Sequence, residues 1–120
     1  MDLVALRVAV ELEIENFAHS TQPDAFGDPM PREWVDAQLT EMRAALVTPI
    51  WRDIRVQDAY DQVYGASDHE IRRCVLVADD GDGYELYFDP SQAGYLLAYS
   101  GSPPVTSGVR GDAVGCFMAR

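Results

Sequence analysis

The chain has 120 residues, with 20 acidic side chains against 9 basic ones and a formal net charge of −11. That length fits one domain, residues 1–120, and 48% hydrophobic with 10% aromatic residues supplies a core, which excludes disorder and any need for disulfides or metal in folding. The charge excludes nucleic acid as a direct partner, and since every basic residue is arginine there is no lysine for Schiff-base chemistry.

Met1-Asp2 opens the chain without a cationic segment, so no signal peptide is expected, and no run approaches the roughly 18 apolar residues of a membrane span. A cytoplasmic protein without membrane contact is the expectation. Residues 4–14 alternate as a half-buried strand would. They also place Leu3, Leu6, Val10, Ile14 and Phe17 on one helical face behind an Asp2 cap, leaving Val4, Val8 and Leu12 on another. Continuity to His19 favours the helix. Residues 20–31 are rich in turn formers and read as a connection, with Phe26 and Met30 pinning it to the core.

Pro31, Glu33 and the spacing of Trp34, Leu39, Met42, Leu46 and Val47 predict a helix over 32–47, stopped by Thr48-Pro49. Ile50 to Val56 alternates as a strand, and 58–64 is a short segment ending at Gly65. Strands are then expected over 71–78, 84–88, 95–99 and 113–119. They are joined by the acidic turn Asp79 to Gly83, a turn from Asp89 to Gly94, and a Gly/Ser/Pro loop over 100–111. The fold class is α+β, in two layers: an antiparallel meander of four to five strands covered by one or two helices.

The acidic turn does not fit a calcium loop: counted from Asp80, Tyr84 and Glu85 stand where an acid and a glycine belong, and Ser91 stands where a bidentate glutamate belongs. Two histidines and two cysteines, far apart, do not make a zinc site, although His69 and Cys74 could meet across a turn. Cys74 and Cys116 both sit in apolar runs and read as buried thiols, a disulfide being the alternative. Ser100-Gly101-Ser102 lacks the glycine pattern of a nucleophile elbow, and Asp68-His69-Glu70 reads as solvated charge. Gly108 to Gly115 carries no dinucleotide fingerprint, and its Arg110 is expected to pair with Asp112 or another acid. No catalytic, cofactor or metal residue is assigned. Aromatic residues sit on adjacent strands, and alternation sends Tyr84 and Phe88 to one sheet face and Tyr87 to the other. Tyrosine amid aspartate is the composition of a protein-binding surface.

Arg73 to Ala78, then Asp80-Gly81-Asp82-Gly83, then Tyr84 to Pro90 resembles the small acidic immunity proteins encoded beside bacterial polymorphic or contact-dependent toxins. The likeness covers residues 71–119 and is one of size, acidity, aromatic strands and Asp-Gly turns. It implies inhibition of a cognate toxin by tight binding, with no catalytic residues to carry over. A basic toxin cleft would attract an acidic inhibitor. The contact residues expected on loops and open strand faces are Asp53, Asp58, Asp61, Asp79, Asp80, Asp82 and Glu85, with Tyr84 and Tyr87 as anchors. Two other readings stand beside it: a small enzyme or ligand-binding domain with a pocket near Trp34 and Trp51, and a homodimeric adaptor joined through the open sheet face.

Overall fold

The computed structural model describes residues 1–19, 31–56 and 70–120. Helix α1 (Leu3–His19) begins where the Asp2 carboxylate accepts the backbone N–H groups of Val4 and Ala5, at 3.0 and 3.2 Å. The helical alternative therefore holds for this segment, with Leu6, Val10 and Ile14 buried and Leu3 and Phe17 packed beside them. Helix α2 (Arg32–Ala45) buries Val35, Leu39, Met42 and Ala45. Trp34, expected on that face, is 39% exposed, because it lies about 100° around the helix from Val35. The helix also ends two residues before Val47. Leu46 turns directly into extended backbone, so Thr48-Pro49 lies inside strand β1 (Leu46–Val56), where the register to the next strand shifts.

Strands β2 (Glu70–Asp79), β3 (Tyr84–Asp89), β4 (Gly94–Tyr99) and β5 (Val105–Gly111) follow, each antiparallel to its predecessor. The meander then rolls up and closes, β1 meeting β5 in a parallel bridge at Arg55 and Val105, with the Arg55 N–H donating to the Pro104 carbonyl at 2.8 Å. A short helix α3 (Ala113–Met118) ends the chain. Among the described residues three helices and a five-stranded meander make up the two-layer α+β fold. Among the described residues no helix is long and apolar enough to cross a membrane.

Two expectations for the C-terminal segment are corrected. Residues 105–111, read as loop, form β5: Gly108, at φ +90°, supplies the left-handed residue of an irregularity opposite Leu97, whose carbonyl accepts the Ser107 hydroxyl at 2.8 Å. Residues 113–118, read as strand, form α3. Asp112 accepts the Gly115 N–H, while the Glu13 carboxylate of α1 takes the N–H groups of Ala113 and Val114 at 3.2 and 2.6 Å. These caps let Ala113, Val114, Cys116 and Phe117 enter the core at helical spacing.

Alternation along the rolled sheet produces two cores. The outer face contributes Val75, Val77, Leu86 and Leu97, which pack with the helices. The inner face contributes Ile54, Cys74, Leu76, Tyr87, Leu96 and Ala98, which fill the barrel. A bulge in β2 lets both Val77 and Ala78 face the helices. Cys74 lies in the inner core and Cys116 in the outer one, so they are two buried free thiols with the sheet between them. Burial pushes the Cys74 thiol up to about 12 and that of Cys116 up to about 11.

The Glu13 bridge makes α3 depend on α1. Glu13→Ala orphans two buried-end N–H groups and is expected to lower unfolding free energy by about 2 kcal/mol, with Glu13→Gln losing less because it keeps an acceptor. Urea denaturation monitored by circular dichroism measures both; equal losses in the two variants would show that the acceptor atoms are not what matters.

Candidate functional site

The acidic turn between β2 and β3 is first of all hairpin chemistry. Asp79 Oδ1 accepts the Gly81 N–H at 2.9 Å, and Asp80 Oδ1 accepts those of Asp82 and Tyr84 at 2.8 and 3.0 Å. Gly81 and Gly83 take φ +75° and +108°, the left-handed conformations such a turn requires. The turn is then tied to the rest of the molecule by Arg120, whose guanidinium lies 3.8 Å over the Phe117 ring. It reaches Asp80 at 3.1 Å, Glu41 at 2.7 Å and the Gln38 side-chain oxygen at 2.8 Å. Burial opposes the charge on Asp80, but the Asp82 and Tyr84 N–H groups and Arg120 outweigh it and hold the carboxyl below its ordinary range.

These contacts leave a groove of about 320 Å³ lined by Glu41, Ala44, Ala45, Asp79, Asp80, Asp82 and Arg120. Four carboxylates face one guanidinium there, so the groove is strongly negative. Glu41, Asp82 and part of Asp79 are open to solvent. Among the described residues no group of three or more His, Cys, Asp or Glu side chains is placed to hold a metal ion.

The inner face of the sheet carries a different set of charges. Asp89, wholly buried, accepts Arg72 Nη1 at 2.7 Å and Arg110 Nη1 at 3.5 Å, together with the Ser91 N–H and hydroxyl at 3.0 and 2.7 Å. Burial pushes its carboxyl up, and the Ser91 and Arg72 hydrogen bonds more than reverse that, leaving it below the ordinary range. Elsewhere on the same face Glu85, 4% exposed, bonds Arg52 Nη1 at 2.9 Å and accepts the Tyr87 hydroxyl at 3.1 Å. Here burial wins, and the Glu85 carboxyl stays above its ordinary range despite Tyr87 and Arg52. Burial likewise raises the Tyr87 phenol. Asp89, Glu85 and Tyr87 are buried in the barrel, while the partly exposed Arg52 also lines an open surface cavity with Asp53 and residues 101–104.

The expected contact residues therefore separate. Asp79, Asp80 and Asp82 meet at the groove, with Asp80 engaged by Arg120. Glu85 and Tyr87 are inside the barrel, where neither reaches a partner. Tyr84 is half-buried, its ring 5.6 Å from that of Tyr99. Asp53 is exposed on β1 opposite Arg73, six residues along β2 from Asp79 and so roughly 20 Å from the groove. Asp58, Asp61 and His69 lie outside the described residues, as do residues 20–30 and 58–64 with Phe26 and Met30. Arg110, expected near Asp112 or another acid, is on Asp89. The space near Trp51 is filled by the outer core and by Arg73, which lies 5.5 Å from the indole ring, while Trp34 stands on the surface. Glu41 and Arg120 belong to the groove and were not among the expected residues. No pattern local to either marks them, because they meet the turn only through tertiary packing.

Comparison with protein families, curated proteins and solved structures finds no match to this chain.

The buried Asp89 pair makes stability acid-sensitive. Its folded-state proton affinity is below the unfolded value, so its contribution is complete above the ordinary aspartate pKa of about 3.9 and drains away as pH falls through the lowered value. Glu13 and Glu85, both raised, have the opposite sign: their folded states favour the proton, and they contribute less as pH rises through their folded values. Asp89→Ala is expected to cost about 3 kcal/mol at neutral pH by removing the buried carboxylate on which Arg72, Arg110 and Ser91 converge, leaving Arg72 half-buried with only Glu70. It should also flatten the loss of stability in acid. Urea midpoints measured from neutral to acid pH check both effects.

Proposed function

We propose that this chain is a non-catalytic cytoplasmic binding protein that inhibits a partner with a basic surface, as the resemblance to small acidic immunity proteins implies. The observation that carries the reading is the division of the acids. Asp89 and Glu85 are neutralised inside the barrel, and Asp80 and Glu41 share the single charge of Arg120, while Asp79 and Asp82 add to the excess negative charge of the groove. A rigid concave surface with excess carboxylates suits a cationic side chain or strand, and long-range attraction by a chain of net charge −11 speeds encounter. Among the described residues the barrel interior is packed with Ile54, Cys74, Leu76, Tyr87, Leu96 and Ala98, which supports binding over catalysis.

Asp82 is exposed and its side chain is not one of the turn's acceptors, so Asp82→Lys changes the groove charge while sparing the hairpin. The expected partner is the product of the reading frame adjacent to this one. Its affinity for the chain, measured by calorimetry, should fall steeply with salt, and Asp82→Lys should weaken it by about tenfold at low salt. Absence of binding, or binding indifferent to salt and to Asp82→Lys, overturns the charge-steered reading.

A further inference from the structure

Helix α1 turns one apolar face to the core and a second to solvent. Val4 is 74% exposed, Val8 48% and Leu12 57%, with Met1 at 62% continuing the stripe. Spaced four apart, the three form one line along the helix. A shallow groove beside them is lined by Leu3, Val4, Arg7, Val8, Glu11, Thr48 and Pro49. An apolar line of this length on a chain otherwise so charged marks a contact surface.

We infer that this stripe is a self-association surface, on which two copies of the chain pair α1 against α1 in antiparallel fashion about a two-fold axis at Val8. Three features of the helix favour a second copy. The first is register: about that axis Val8 meets its own equivalent, and Val4 of one copy lies level with Leu12 of the other, so the stripe is complementary to itself. The second is charge. Arg7 and Glu11 flank the stripe on the same side, 3.2 Å apart, the Glu11 side chain exposed and the Arg7 guanidinium half-buried and also donating to the Val47 carbonyl. Antiparallel pairing brings like flanks together and sets Arg7 of each copy about 3 Å along the axis from Glu11 of the other. Parallel pairing would bring that flank against Ala5 and Ala9 and lose the match. The third is local neutrality: Arg7 with Glu11 and Arg43 with Glu15 balance the rim near the C-terminal end of the stripe, so a basic partner gains nothing there. On the other flank, the small Ala5 leaves room for the partner's Leu12.

This inference does not rest on the function proposed above, because the stripe and the acidic groove are on different elements. It also replaces the expected dimer through an open sheet face. The inner sheet face is closed within the barrel, and the helices cover the outer face where Val75, Val77, Leu86 and Leu97 lie.

Sedimentation velocity of the full chain should show twice the 13.3 kDa monomer mass, with a concentration-dependent fall to monomer on dilution. Val8→Glu, on an exposed helix surface, should give a folded monomer, its folding checked by circular dichroism. Val8→Cys should form a symmetric intermolecular disulfide under mild oxidation, whereas Asp36→Cys, exposed on α2, should not; the native thiols are buried and do not compete. Glu11→Arg should weaken association and Arg7→Glu with Glu11→Arg should restore it. A monomer at every attainable concentration, or a dimer unaffected by Val8→Glu and unlinked by Val8→Cys, overturns the inference. So does a Val8→Cys thiol that resists labelling in a demonstrated monomer, which would mean that another segment of the same chain covers the stripe.

Discussion

The rolled sheet depends on how it handles charge on its inner face. A closed five-stranded barrel is too narrow for water to solvate ionised groups along its interior, yet Asp89 and Glu85 both point inward. What makes this tolerable is arginine. The guanidiniums of Arg72 and Arg110 converge on Asp89 from β2 and β5, strands that are not neighbours, and Arg52 reaches from β1 to Glu85 on β3. Arg110–Asp89 and Arg52–Glu85 link strands that the hydrogen-bonded ladder does not join directly, while Arg72–Asp89 reinforces the neighbouring β2–β3 pair. The ion pairs therefore specify the closure of the sheet as well as its composition, and an apolar replacement of the same volume would keep the core without keeping that cross-strand pairing.

The absence of lysine fits the same constraint. A planar fork with several donors can bond a carboxylate and a carbonyl at once, as Arg7 does with Glu11 and Val47, and Arg120 does with Asp80, Gln38, Glu41 and the Phe117 carbonyl. A single ammonium at either place would leave some of those acceptors unmet. Arg120 is the clearest case, because one side chain ties the last residue of the chain to α2 and to the β2–β3 turn. The acidic groove is thus built by a cation, and its negative character is what remains when one guanidinium binds Asp80 and Glu41 beside Asp79 and Asp82.

The legible parts of the sequence were those where short-range pattern and burial agree. Asp2 and the line of Leu6, Val10 and Ile14 place α1, and the alternation of Tyr84, Phe88 and Tyr87 correctly divides the two faces of β3. The Asp-Gly turn also forms as its chemistry requires. The C-terminal third failed where local signals pointed away from the answer. Gly108 and the serines look like loop but serve a sheet irregularity, and Ala113 to Phe117 looks like strand but becomes helical once Glu13, a hundred residues earlier in the chain, caps it. Alternation puts Tyr87 on the face opposite Tyr84, and Glu85 and Tyr87 both read as contact residues on loops or open strand faces, yet both are buried. Only the closure of the sheet, a long-range event, makes that face the inside.

That closure also decides what surface remains for function. An open two-layer sheet would offer one covered face and one free face, and aromatic and acidic side chains on the free face would be the natural contact surface. Rolling removes the free face, consumes two of its acids in internal pairs, and moves the available recognition chemistry to the periphery. Two surfaces of opposite character result: a groove with excess carboxylates between α2 and the β2–β3 turn, and an apolar line on α1 whose flanking charges are balanced. Excess charge repels a second copy of an acidic chain and attracts a basic one, while a balanced rim permits like to meet like. The division of charge leaves the acidic groove and the apolar line on separate elements of one small domain, so each can be altered without the other.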